Sequence, residues 1–247
     1  KKSFLHTARY RQLDYWICPL PYLKQQVEKY VKFKNSKIKV IPSAILIESP
    51  NRAHEKQESR NALNIPQNAF VAGLIGRLDP LKGQDILLEA LTQVKNTSVT
   101  ACIIGAPTLH EPNEHYEKLI EYVKVNNLKD KVIFLPFSSE VHSFYDAIDV
   151  CIMASKSETF GMVTVEALSH GVPLIGSNSG GTPEILWNEQ LGLLFESGNA
   201  ADLAKKIDFL VENQTHFDAE LLREESKKYD HEKICAQIEN EVFQLSK

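Results

Sequence analysis

The sequence contains no CxxC pair, no apolar run near the roughly 20 residues that cross a bilayer, and no repeat or low-complexity tract. Each absence excludes something. Cys18, Cys102, Cys151 and Cys235 are scattered along 247 residues, and Cys102 and Cys151 lie inside the apolar runs "VTACIIG" and "VCIM". Thiols placed this way predict buried, reduced cysteines and leave out a disulfide framework or a thiolate metal site. The missing apolar run leaves out a membrane-spanning helix. The start, "KKSFLHTARYRQ", is too polar for a signal peptide. A cytoplasmic location is the expectation.

What is present is ordinary for a globular protein: 43% hydrophobic and 24% charged residues. The length suits one large domain, or one domain with part of another. The net charge of −4 conceals an asymmetry. Residues 1–60 carry 13 Lys/Arg against 5 Asp/Glu, a balance of +8; the rest carries 15 against 27, a balance of −12. The basic stretch "KQQVEKYVKFKNSKIK" has two readings, a solvated helix face or a contact with an anionic membrane surface or a partner domain. Nucleic acid is not expected, because no binding motif is present and the chain is acidic overall.

From residue 70 the pattern alternates apolar runs with amphipathic segments. The runs "FVAGLIG" (70–76), "VTACIIG" (99–105), "KVIFLPF" (131–137), "DVCIMAS" (149–155) and "VPLIGS" (172–177) predict five strands, with "LGLLFE" (191–196) as a sixth. Continuous apolar runs suit strands buried on both faces. Their alternation with helical segments predicts an α/β, doubly wound parallel sheet of Rossmann-like type. Three further helices follow, "AADLAKKIDFLVEN", "DAELLREESKKY" and "HEKICAQIENEVFQL". The first 60 residues complete no domain. "YWICPLP" predicts a strand, "YLKQQVEKYVKF" a helix, and "KIKVIPSAIL" a strand entering the main sheet; "ESPNRAHEKQESRNALNIPQ" predicts a loop and short helix. A fragment, with the tail of another domain in front, is the expectation.

Ligands in open α/β sheets bind beyond the carboxyl ends of the strands, so the residues after each strand matter most. "GRLDPLKGQD" follows the first, with Arg77 and Lys82 five apart and Pro80 and Gly83 shaping a turn. A planar fork and a point charge at one strand end suit a diphosphate. The helix dipole disfavours cations at a helix start, which strengthens the case for an anion; two surface cations are the plain alternative. The pattern follows neither G-x-G-x-x-G nor G-x-x-x-x-G-K-[ST], so no standard NAD or ATP phosphate loop is predicted. His110 and His115, after the second strand, are expected to be solvated loop histidines, with no metal. After the third strand, Phe137 and Ser138 would either present backbone groups to a nucleobase edge or form a simple turn.

The fourth strand leads into "SKSETFGMVTVEALSHGVPLIGSNSGGTPEIL", with Glu158 and Glu166 eight positions apart. Thr159 is predicted to cap a helix starting near Phe160. The amides of Gly161, Met162 and Val163 would then face out of the helix mouth and form an anion site, which Gly161, lacking a Cβ, lets a ligand approach closely. On one ideal helix the two glutamates would stand about 12 Å apart along the axis and about 80° apart around it. Glu158 instead lies in the loop before the helix and Glu166 two turns further in, so the pair would grip two points of one extended ligand. The alternative is a carboxylate complementing the dipole and a solvated helix position. Gly180 and Gly181 form a turn before Pro183 and a short helix, either walling the crevice or purely structural.

Together, "GRLDPLKG" and the 155–186 stretch resemble the donor-phosphate motif G-R-x-x-x-x-K-G and the E-x7-E signature of retaining, nucleotide-sugar-dependent glycosyltransferases of family 4, which have the GT-B fold. The resemblance covers about residues 37–247. It implies a tail of the N-terminal GT-B domain at 1–36, a donor-binding domain at 37–230, and a helix at 231–247 that crosses back to the missing N-terminal domain. It implies that Arg77 and Lys82, following Gly76, bind the leaving diphosphate, that Glu158 contacts the transferred sugar, and that Glu166 accepts from the ribose hydroxyls. Amides around Phe160, Gly161 and Met162 would hold sugar or phosphate. It implies transfer of a hexose from a UDP- or GDP-linked donor to a glycan, lipid-linked or other acceptor, without metal or cofactor. Two stretches depart from the family pattern: "IPSAILIES" replaces an Asn-Gly turn, and "GAP" replaces "GDGP". Other readings are a non-catalytic sugar-nucleotide-binding module, and an epimerase or phosphorylase on the same fold.

Overall fold

The computed structural model describes residues 10, 13–31, 37–47, 56–107, 113–138, 141–214 and 216–245. The chain opens with strand β1 (Trp16–Cys18), helix α1 (Pro21–Tyr30) and strand β2 (Ile38–Val40), then helix α2 (Lys56–Ala62). β1 and β2 pair in parallel as a sheet of their own, Trp16 beside Ile38 and Cys18 beside Val40. The expectation that "KIKV" enters the main sheet is therefore corrected. Its pairing groups are taken by β1, and a three-residue strand carries no signal of which sheet it joins.

The main domain follows as β3 (Phe70–Ile75), α3 (Gln84–Leu91), β4 (Val99–Ile104), α4 (Glu114–Val125), β5 (Val132–Leu135), α5 (His142–Ala147), β6 (Val150–Met153), α6 (Met162–Ser169), β7 (Leu174–Ser177), α7 (Thr182–Ile185), β8 (Gly192–Phe195), α8 (Ala200–Glu212), α9 (Ala219–Ser226) and α10 (His231–Leu245). Its six strands are parallel in the order β5-β4-β3-β6-β7-β8. The six predicted strands and the last three predicted helices are all present.

Both faces of the sheet are covered, which explains why the strands are almost wholly apolar, Thr100 of β4 and Ser177 of β7 being the buried polar positions. Phe70, Ala72 and Leu74 of β3 point into one core with Leu87 and Leu88 of α3 and Leu203 and Ile207 of α8. Val71 of β3 and Cys151 of β6 point into the other, with Phe144 and Tyr145 of α5 and Val165 and Leu168 of α6. The alternation is the period-2 geometry of a strand. Leu87 and Leu88 are wholly buried, each worth about 1.5–3 kcal/mol relative to exposure. Local chemistry sets the helix ends: Asn199 caps α8 by accepting from the Asp202 amide at 3.0 Å, and Asp218 caps α9 through the Glu220 amide.

The small β1-α1-β2 unit is docked on this domain. Leu20 is buried in the second core. The Ile45 amide donates to the Tyr229 carbonyl at 2.9 Å, and the His231 amide returns to the Ile45 carbonyl. Lys39 of β2 pairs with Glu241 of α10 at 2.9 Å. Cys18, Cys102 and Cys151 are buried and Cys235 is exposed, all as free thiols. No helix among the described residues is long and apolar enough to cross a membrane.

Candidate functional site

The strand order reverses direction in sequence between β3 and β6, and that is where an open parallel sheet forms a crevice. The loops after β3 and β6 meet there. The first folds on Asp79, whose carboxylate accepts from the Leu81 amide at 2.8 Å and whose carbonyl accepts from the Lys82 amide at 2.9 Å. Gln84, wholly buried, donates to the Arg77 carbonyl at 2.7 Å and fixes the other limb. The Lys156 amide donates to the Leu81 carbonyl at 2.9 Å, lacing the second loop to the first.

The consequence is a contact absent from the sequence reading. Lys82 Nζ lies 2.8 Å from Glu158 Oε2, and both side chains are largely shielded, 27% and 16% exposed. The ammonium has three donors; one goes to Glu158, which aims the charge and leaves two for an anion. The stem of Lys82 runs beside Gly76, where an added Cβ would come within 3.6 Å of it. Arg77 stands at the same strand end but is more exposed, with Nη2 4.0 Å from Asp79 Oδ2.

Glu158 is held through its backbone by the loop after β7. The Gly181 amide donates to the Glu158 carbonyl at 2.9 Å, and Ser179 Oγ donates to the Lys156 carbonyl at 2.8 Å. Gly180 has φ +64, and a Cβ on it would lie 2.4 Å from the Glu158 carbonyl oxygen. Only glycine permits that approach.

The helix mouth differs from expectation. α6 starts at Met162, and its N-cap is Gly161 in the left-handed region, φ +83; Thr159 is not the cap. The Ser/Thr capping preference is overridden by a backbone shape open to glycine and costly to other residues. The amides of Gly161, Met162 and Val163 remain those at the mouth. Phe160 contributes only backbone there, since its side chain is buried edge-on against Tyr229, ring centroids 5.6 Å apart. Glu166 consequently sits about one turn into α6 rather than two. It is not joined to the Lys82–Glu158 pair. Its Oε2 accepts from the hydroxyl of Tyr145 at 2.7 Å.

Phe137 lies after β5 and is 73% exposed, with half-buried Ser138 beside it. His115 is not a loop histidine. It is the second residue of α4, with Nε2 3.4 Å from Gln84 Oε1, and burial holds its pKa below the ordinary value. His110 lies outside the described residues. Among the described residues no group of three His, Cys, Asp or Glu could hold a metal ion. A cavity of about 410 Å³ opens elsewhere, at the N-terminal edge of the sheet. Its charged residues are already paired, Lys56 with Asp149, Asp146 with His170 and Arg223 with Glu220. Chemistry and topology place the site at the β3/β6 crevice instead.

Residues 55–231, more than half of the chain, match the family of glycosyl transferases group 1. The chain belongs to this family. Curated relatives include an O-antigen biosynthesis glycosyltransferase, WclY, from Escherichia coli, 28% identical over 187 residues, covering 76% of this chain and 50% of that protein. A D-inositol 3-phosphate glycosyltransferase from Rhodococcus erythropolis is 30% identical over 169 residues, covering 65% and 37%. Among solved structures, HepE from Anabaena in complex with UDP superposes with a TM-score of 0.88 at 26% identity, covering 97% of this chain and 66% of that one. The fold is that of GT-B glycosyltransferases. The chain spans about half the length of the first curated relative it matches.

Within this family fold, the residues the sequence did not reveal are Gln84 and Tyr145. Each is a polar group in an apolar segment, "GQDILLEAL" and "HSFYDAI". A buried polar atom must find a partner, but which partner depends on long-range packing.

Proposed function

We propose that the protein transfers a hexose from a UDP- or GDP-linked donor to an acceptor hydroxyl with retention of configuration, as a family 4 enzyme that needs no metal. The observation that carries this is the Lys82–Glu158 pair at the strand-order reversal, beside the mouth of α6. In this reading Lys82 and Arg77 bind the donor diphosphate and stabilise the charge that develops as the bond from the anomeric carbon to the phosphate oxygen breaks. In the same reading Glu158, paired with Lys82, accepts from a hydroxyl of the transferred sugar. The amides of Gly161, Met162 and Val163 supply further donors, and Glu166 accepts from the ribose hydroxyls. Phe137 and Ser138 flank the base, and Gly76 lets the diphosphate lie close to backbone. The HepE structures from Anabaena were solved with UDP and with UDP-glucose, which supports a nucleotide-sugar donor for this chain.

Two cations and a helix mouth do the electrostatic work that a metal ion does elsewhere, so no divalent cation is called for. The acceptor, a glycan or a lipid-linked sugar, would be bound mainly by an N-terminal GT-B half that the β1-α1-β2 unit continues. The basic start of the chain fits peripheral contact with an anionic membrane. The test is a binding and turnover screen of UDP, GDP, ADP and their sugar conjugates, with EDTA in one arm. Selective binding of one nucleotide and EDTA-resistant release of the nucleoside diphosphate are expected. No binding of any, or loss of turnover with EDTA, contradicts the proposal.

A further inference from the structure

Tyr145 is among the largest fully buried side chains of the protein, yet it has a polar end. Its hydroxyl donates to Glu166 Oε2 at 2.7 Å, joining α5 to α6 across the second core. The ring is fixed from the side. His170, just beyond α6, stacks on it with centroids 5.0 Å apart and planes at 28°. His170 is in turn placed by Asp146, 3.0 Å from its Nδ1, and by His142, 3.2 Å from its Nε2. Burial raises the phenol's pKa well above its ordinary value, so the hydroxyl stays protonated and acts as donor. Glu166 itself is only half-buried. A flexible carboxylate on a helix surface samples several rotamers, and this one is tied at one oxygen to a wholly buried group.

We infer that Tyr145 is a positioning residue for the nucleotide's ribose: by occupying Glu166 Oε2 it turns Oε1 to the crevice as the acceptor for the ribose hydroxyls. This rests on the reading of Glu166 as the ribose acceptor. A bond from a phenol to a carboxylate is of the charge-assisted kind. Tyr145 touches no substrate; its effect on the ligand passes through Glu166.

The test is calorimetry of the whole protein with UDP and 2′,3′-dideoxy-UDP, and with the guanine pair if the screen selects GDP. The unaltered protein, Tyr145→Phe and Glu166→Ala are compared, with thermal melting of each. The unaltered protein should prefer the ribonucleotide. Glu166→Ala should erase that preference. Tyr145→Phe should weaken UDP about 10-fold, leave the dideoxy form unchanged and melt within a few degrees of the parent. If Glu166→Ala keeps the preference, the reading of Glu166 fails and this inference with it. If Glu166→Ala erases it while Tyr145→Phe keeps it in full, the inference alone fails. Equal weakening of both nucleotides by Tyr145→Phe shows a merely structural role and overturns it. Labelling the tyrosine ζ-carbons gives the answer without substitution, should Tyr145→Phe not fold. One tyrosine signal should move with UDP and not with the dideoxy form, and its absence counts against the inference.

Discussion

Arg60 shows how much one side chain can fix. It is 4% exposed, and its guanidinium donates to the carbonyls of Ala147, Gln67 and Ala69 and to Asp149 Oδ2 at 2.7 Å. Asp149 also accepts from the Val71 amide. One cation thereby joins α2 to the starts of β3 and β6, the two strands whose far ends form the site. Arg60→Ala leaves Asp149 with only Lys56 as a cationic partner and should cost about 3 kcal/mol by urea denaturation. A loss below about 1 kcal/mol would show that the network is not holding the sheet edge. At this scale the sequence revealed the groups that advertise their chemistry. Arg77, Lys82 and Glu158 are charged residues in the loops after strands, where the chain alternation makes a ligand edge, and Glu166 stands in the helix that follows. Arg60 and Tyr145 did not stand out, because their partners lie 89 and 21 residues away and no local pattern encodes such pairings.

The elements were legible for a physical reason: strands buried on both faces read as near-continuous apolar runs, as β3 and β6 do throughout and β4 does but for Thr100. Element ends were less so. α6 begins two residues later than Thr159 suggested, since a left-handed glycine replaces the usual side-chain cap. β2 was found but assigned to the wrong sheet. The two glycine turns of the site make a graded test. Ala at Gly161 meets Thr164 Oγ1 at 3.1 Å, whereas Ala at Gly180 meets Glu158 backbone at 2.4 Å. Both carry a left-handed penalty of about 1–2 kcal/mol, and only Gly180→Ala adds a backbone collision. Gly180→Ala should therefore melt lower than Gly161→Ala; the opposite order would mean that the Gly180–Gly181 turn yields freely around Glu158.

For the whole molecule, topology and the docked β1-α1-β2 unit converge on one place. Leu20 Cδ1 lies 2.4 Å from where a Cβ on Gly181 would be, and the Tyr22 amide donates to Glu184 Oε2 at 3.0 Å. The turn that carries Glu158's backbone partner is thus packed against the β1-α1-β2 unit, so a movement of that unit would reach Glu158. The central claim is that Lys82, aimed by Glu158, takes the donor diphosphate. The most direct measurement is calorimetric titration of the nucleotide chosen by the screen into the unaltered protein and into Lys82→Ala. Loss of a charge-assisted contact predicts weakening by about 10- to 150-fold; unchanged affinity would contradict the account.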